Sequence, residues 1–162
     1  FGVVVGQGGH CREPGGYVAT LVALAESRGA SRVAARATGF AIEGGRLRAV
    51  RTEAGDVPAA RAVLAAGIHS APLARALGHR IPLESERGYH AVFPMPGIAP
   101  RRPVMPSDGK MGVTLTEGGL RVAGQVEIAG LDAAPDWRRA AILAERLRAI
   151  FPALQGEGGQ VW

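Results

Sequence analysis

Cysteine is almost missing from this 162-residue chain, where Cys11 stands alone. One thiol excludes an intrachain disulfide and favours a reducing compartment, so a cytoplasmic setting is expected. No apolar run approaches the roughly 18 residues that a membrane-spanning helix needs. The opening Phe1-Gly2-Val3-Val4-Val5-Gly6 has neither a basic n-region nor a methionine. It is therefore no signal peptide, and the expectation is that the chain is an internal piece of something longer. Aromatic residues are only 5% of the sequence, and Lys110 is the single lysine beside 18 arginines. The arginines are dispersed, never more than two in a row, and aromatics are too few to interleave a basic patch. That pattern argues against a nucleic-acid partner, despite a net charge of +5. The Arg-for-Lys skew, with 29 alanines and 24 glycines, is what a GC-rich bacterial genome writes.

Several catalytic signatures are missing too. His10, His69, His79 and His90 show no spacing suited to a metal, and there is no second cysteine, so no metal site is expected. His10 and Cys11 are adjacent, but neighbours on an extended chain point to opposite faces and make a poor nucleophile–base pair. No Gly-x-Ser-x-Gly elbow occurs. Gly6-Gln7-Gly8-Gly9-His10 lacks both the Lys-Ser/Thr of a phosphate loop and the spacing of a dinucleotide fingerprint, and reads as a turn.

What remains is an ordinary globular composition, 47% hydrophobic and 20% charged, with too much apolar surface to stay unfolded. Val3–Val5 reads as a short strand. Pro14 opens a helix whose Tyr17, Leu21, Leu24 and Ala25 form one apolar face, closed by Gly29. The period then changes to two. Val33–Arg36, with Phe40 and Ile42, leads into a Gly44-Gly45 hairpin; Leu47, Val50 and Thr52 return, and residues 57–60 add a third short strand. Ala62–Ala66 is an unbroken apolar run, expected as a strand buried in a parallel sheet. Gly67 ends it, Ser70 is the expected N-cap, and a short helix reaches Leu77. Beyond it, extended stretches at 81–93, 104–105, 111–116 and 120–128 read as antiparallel strands. A last helix over 135–150 carries Trp137, Ala140, Ala144, Leu147 and Phe151 on one stripe, with Pro152 as its stop.

Ala65-Ala66-Gly67-Ile68-His69-Ser70 is the strongest candidate for a site. At the end of a buried strand in an α/β sheet, such a turn meets ligands, and a glycine there admits close approach. It equally suits a core strand that ends in tight helix packing.

The ordered motifs over about residues 9–139 resemble FAD-dependent oxidoreductases of the D-amino acid oxidase and dehydrogenase type, near glycine oxidase. The resemblance rests on Gly9-His10-Cys11-Arg12-Glu13-Pro14, residues 38–47, residues 63–74, Glu86-Arg87-Gly88-Tyr89-His90, Arg102-Pro103-Val104-Met105, residues 118–124, and Asp136-Trp137-Arg138-Arg139. It implies a mixed α+β fold: a partial FAD-binding α/β layer with a β-meander, plus an antiparallel substrate-domain sheet with a flanking helix. The implied division is 1–13 as the first strand of the substrate sheet, 14–79 as the partial FAD-binding domain, and 80–162 as the substrate sheet and helix. It implies hydride transfer from an amine or D-amino acid to FAD. Ala37 would offer its backbone to the adenine, Ala66-Gly67 would close over the ribose-pyrophosphate region, and Tyr89 or His90 would line the substrate pocket. Only one of those two neighbours can face it; an outer-face or satisfied core position is the alternative for both. The resemblance assigns no arginine here to the substrate carboxylate, and no catalytic residue.

The family's opening Gly-x-Gly-x-x-Gly unit is not in the sequence, so this chain by itself is expected to retain neither FAD nor activity. The alternative is a non-catalytic interaction module that keeps the architecture. If strand 62–66 lacks neighbours, its apolar edge is expected to drive self-association.

Overall fold

The computed structural model describes residues 3, 4, 6, 7, 9–157, 160 and 161. The chain divides into two compact units, one of residues 24–85 and one of residues 1–23 with 86–162. Helix α1 (Pro14–Ser27) runs across the division. Its start is fixed by Glu13, whose carboxylate accepts the Gly16 N–H at 2.6 Å while its carbonyl accepts the Tyr17 N–H. This is a side-chain cap of the first turn. Val3 and Val4 are exposed and form no strand, and Val5 lies outside the described residues.

In the 24–85 unit, β1 (Ala37–Glu43), β2 (Arg46–Thr52) and β3 (Gly55–Pro58) form an antiparallel meander in that order. The Gly44-Gly45 hairpin is present, with φ of 54° and 73°, the paired left-handed conformations that match the twist of a two-residue turn. Residues 33–36, expected to open the first strand, remain outside it. A 3-10 turn at Gly67–His69 then leads into α2 (Ser70–Ala76).

Ala62–Ala66 departs from expectation. It forms no strand, and Val63 is 92% exposed. A segment apolar on both faces becomes a central strand only when strands pair on both of its sides; no strand pairs with it among the described residues. Ala62, Val63 and Leu64 instead line an apolar cavity of about 270 Å³ with Phe40, Ile42, Leu47, Val50 and Leu77. The strand edge expected to drive self-association is therefore not formed.

The other unit is built on a four-stranded antiparallel sheet. Its order is β5 (Met111–Thr116), β6 (Gly119–Glu127), β4 (Arg87–Phe93) and β7 (Gln160–Val161). The expected 111–116/120–128 hairpin is present, and Val104 adds a single bridge to Val113. Alternation sends Tyr89, Ala91, Phe93, Met111, Val113, Leu120 and Val122 to one face, where they are buried with Leu143 and Leu147 of α3 (Arg138–Ile150). The expected α3 stripe holds at Ala140 and Leu147, which are buried, and at Ala144 and Phe151, which pack against the same core. Leu143 completes it, and Trp137 stays half exposed, its ring edge-on to Tyr89 at 6.1 Å. Among the described residues the fold is mixed α/β, with two small antiparallel sheets and three α-helices.

Candidate functional site

In the 24–85 unit the chain folds Ala37 and Ala66, 29 positions apart in sequence, onto one groove of about 660 Å³. Arg36, Ala37, Thr38 and Glu53 contribute from the meander; Ala66, His69, Pro72, Leu73 and Ala76 contribute from the turn and α2. The volume suits a small organic group. Local sequence sets the shape. A register shift between Ala37 and Gly39 re-aims the start of β1. Gly67 sits at φ +56°, a left-handed position that strains any side chain, and a Cβ added there would meet no atom within 4 Å. The space over its Cα is open.

Ser70 is the first residue of α2 rather than its N-cap, because the 3-10 turn occupies the position before it and His69 takes the cap. Its hydroxyl reaches back to accept the Ala66 N–H at 3.0 Å. That bond ties the turn to the helix, and Ser70 is buried. Arg36 and Glu53 are joined at 3.8 Å between side chains and by a Glu53 N–H to Arg36 carbonyl bond of 3.1 Å. The groove thus combines short side chains around accessible backbone with one cation–carboxylate pair.

The second candidate region lies on the four-stranded sheet, where Tyr89 and His90 point to opposite faces. Tyr89 is 1% exposed on the α3 side. Its hydroxyl donates to Glu127 Oε2 at 2.5 Å and accepts the Asp136 N–H at 2.8 Å. Arg87 joins them, donating to the same Glu127 oxygen at 3.2 Å and to the Ala133 carbonyl at 2.6 Å. This network ties the 128–137 segment to the sheet. Asp136 is held below the usual carboxylate range by its hydrogen bond from Arg138.

A bulge in β6 makes the network possible. Gly88 pairs with Val126 but Tyr89 pairs with Gly124, leaving Gln125 as the extra residue at φ +58°. Without that extra residue, alternation would turn Glu127 to the far face of the sheet.

His90 occupies the face opposite α3 and is 6% exposed. Its Nδ1 lies 3.3 Å from Arg121 Nη2. Burial, and then the charge of Arg121, lower the His90 pKa below 6.5. A guanidinium has no acceptor, so Nδ1 is the unprotonated nitrogen that receives its N–H.

Of the residues singled out from sequence, Ala37 and Ala66 meet in one groove with Gly67 in the turn beside it. Tyr89 is a satisfied core tyrosine, and His90 alone of its pair lies on the sheet's other face. Arg36, Glu53, Arg121 and Glu127 were not anticipated. Arg121 had a signal, as a charge at an alternating position within the apolar stretch Leu120–Ala123. Glu127 had none, since the bulge reverses the face that sequence alternation assigns to it.

A family model described as FAD dependent oxidoreductase matches residues 1–162. The D-amino-acid oxidase of Bradyrhizobium diazoefficiens is 51% identical over 154 residues, which are 95% of this chain and 37% of that protein. A D-amino acid dehydrogenase of Paramagnetospirillum magneticum is 32% identical over 139 residues, 84% of this chain and 33% of that protein. Among solved structures, L-proline dehydrogenase from P. horikoshii superposes with a TM-score of 0.71 at 19% identity, covering 90% of this chain and 41% of that one. Glycine oxidase from Bacillus cereus follows at 0.62 and 19% identity, covering 79% and 36%. These two share the fold, and the chain spans well under half the length of each relative. The chain belongs to the FAD-dependent oxidoreductase family.

Proposed function

We propose that the chain is part of an enzyme that oxidises a small amine or D-amino acid, with FAD supplying the hydride acceptor when bound. The observation that carries this reading is the groove that gathers Ala37 and Ala66 beside the open left-handed turn at Gly67. The names of the relatives, D-amino-acid oxidase and D-amino acid dehydrogenase, support the substrate class.

The residues present fit one end of such a cofactor. Ala37 would meet an adenine through its backbone. Ala66 and Gly67, with no bulky side chain between solvent and main chain, would admit the ribose-pyrophosphate region. Arg36 and Glu53 would supply polar partners along the groove. No Gly-x-Gly-x-x-Gly loop for the pyrophosphate occurs in the sequence, so the fit stops there.

On the sheet, His90 is the residue proposed to contact substrate; the hydroxyl of Tyr89 is engaged on the other face. Residues 1–13 and 80–162 would serve substrate binding and 14–79 cofactor binding, in a cytoplasmic protein. The test is anaerobic mixing of the full-length flavoprotein with a panel of D- and L-amino acids and simple amines. Bleaching of the visible flavin bands by D-amino acids or amines is expected. Bands unchanged by every compound would overturn the reading.

A further inference from the structure

We infer that Arg75, His79 and Arg80 form a seat for a phosphate dianion, carried by a free phosphate or phosphate monoester or by a lipid headgroup. The seat lies within the 24–85 unit and does not rest on the flavin reading above.

The turn that closes α2 builds it. Gly78 takes a left-handed φ of 82° just past the helix end. The Gly78 N–H donates to the Arg75 carbonyl and the His79 N–H to the Ala74 carbonyl, each at 3.0 Å. That pair of bonds closes many helices at a glycine and folds the chain back along the last turn. Arg75 from the helix, with His79 and Arg80 from beyond it, thereby line one open cleft of about 430 Å³, and Gly78 is the remaining lining residue. A Cβ added at Gly78 would meet no atom within 4 Å, so the cleft is open over the turn. The same two bonds occupy helix-end carbonyls whose partial negative charge would otherwise repel an anion.

Charge makes the second argument. The side chains lining the cleft are two guanidiniums and an imidazole, with no carboxylate among them. Elsewhere in the same unit, Arg32 pairs with Glu26 at 3.5 Å, Arg36 with Glu53 at 3.8 Å and Arg48 with Glu43 at 3.5 Å. The side chains of Arg75, His79 and Arg80 make no hydrogen bond or ion pair among the described residues. Like charges gathered without a counter-ion repel one another, and a dianion between them relieves that repulsion. The tetrahedral oxygens of a phosphate can take both planar forks and a third N–H from the imidazole. Three basic groups seat one anion and give no track for a polymer. The cleft shares no lining residue with the groove at Ala37 and Ala66 and lies at the far end of α2 from the Gly67 turn. All three side chains are exposed, so water screens the contacts and a dissociation constant of about 1 mM is expected.

The experiment uses the full-length protein with isotope-labelled histidine, its His79 signal assigned by His79→Gln. Inorganic phosphate is expected to shift the His79 ring signals, and sodium chloride at matched ionic strength to leave them unmoved. Co-sedimentation with phosphatidylcholine vesicles, with and without phosphatidic acid, probes the lipid source. Arg75→Gln combined with Arg80→Gln should weaken the binding by about 10- to 30-fold. Arg75→Lys with Arg80→Lys, which keeps the charges and loses the forks, should fall between. Arg28→Gln with Arg46→Gln removes the same charge outside the cleft and should leave binding unchanged. A response to phosphate alone supports the seat with a soluble ligand, and a response to phosphatidic acid vesicles alone supports it with a headgroup. No response to either probe, an equal response to chloride, or an equal loss in the two glutamine double variants overturns the inference.

Discussion

The hydroxyl of Tyr89 is buried with both of its hydrogen-bonding roles in use, donating to Glu127 and accepting from the Asp136 N–H. Tyr89→Phe would leave a half-buried carboxylate short of one donor and a backbone N–H without its acceptor. The expected loss is about 1–3 kcal/mol in chemical denaturation, the cost of stranding such groups. A change under a few tenths would show that water replaces the phenol. His90, one residue on, carries a pH dependence of definite sign. Its pKa is lowered in the folded state, chiefly by burial, so below 6.5 the unfolded chain binds the proton more readily. Stability should therefore be full above about pH 6.5 and decline as the pH falls from there towards the folded-state value. Denaturation midpoints of wild type and His90→Asn across that window check this; parallel curves would contradict it.

Among elements, β6 is the one whose irregularity has consequences. Gln125 sits in a left-handed conformation where glycine is the ordinary occupant, and the bulge it makes turns Glu127 towards Tyr89 and Arg87. Left-handed backbone costs a non-glycine residue about 1–2 kcal/mol, and glycine's greater freedom when unfolded returns part of that. Gln125→Gly is expected to raise stability by about 0.5–1 kcal/mol with the Tyr89–Glu127 bond intact. A destabilised variant would mean that the glutamine side chain itself holds the bulge. Most of the elements were legible in sequence. Pro14, Gly44-Gly45, the alternation of 111–116 and 119–127, and the 140/147 spacing of α3 are local signals, and local sterics and burial enforce them. Bulges are not local in that sense. Whether Gln125 is skipped by the ladder depends on which residues β4 offers across from it.

For the whole molecule, the informative segment is Ala62–Ala66. Its composition is that of a central parallel strand, yet it pairs with nothing among the described residues and exposes Val63. With that strand unformed and no Gly-x-Gly-x-x-Gly loop in the sequence, the 162-residue chain alone is expected to purify colourless and to gain no flavin bands when FAD is added. Near-stoichiometric flavin absorption would refute this and would place the main cofactor contacts in the groove at Ala37 and Ala66.

The sequence by itself determined the positions of the helices and hairpins and the order of motifs that carries the family resemblance, because caps, turns and apolar periods act within a few residues. It also marked Ala37, Ala66 and Gly67 one by one. Only the tertiary structure decided that Ala37 and Ala66 share a groove, that Tyr89 turns inward while His90 turns out, and that Arg121 meets a histidine instead of a carboxylate. Each of those depends on strand register and on contacts between residues 29 to 38 positions apart. A one-residue slip in the pairing would reverse every face assignment, and no local pattern encodes it.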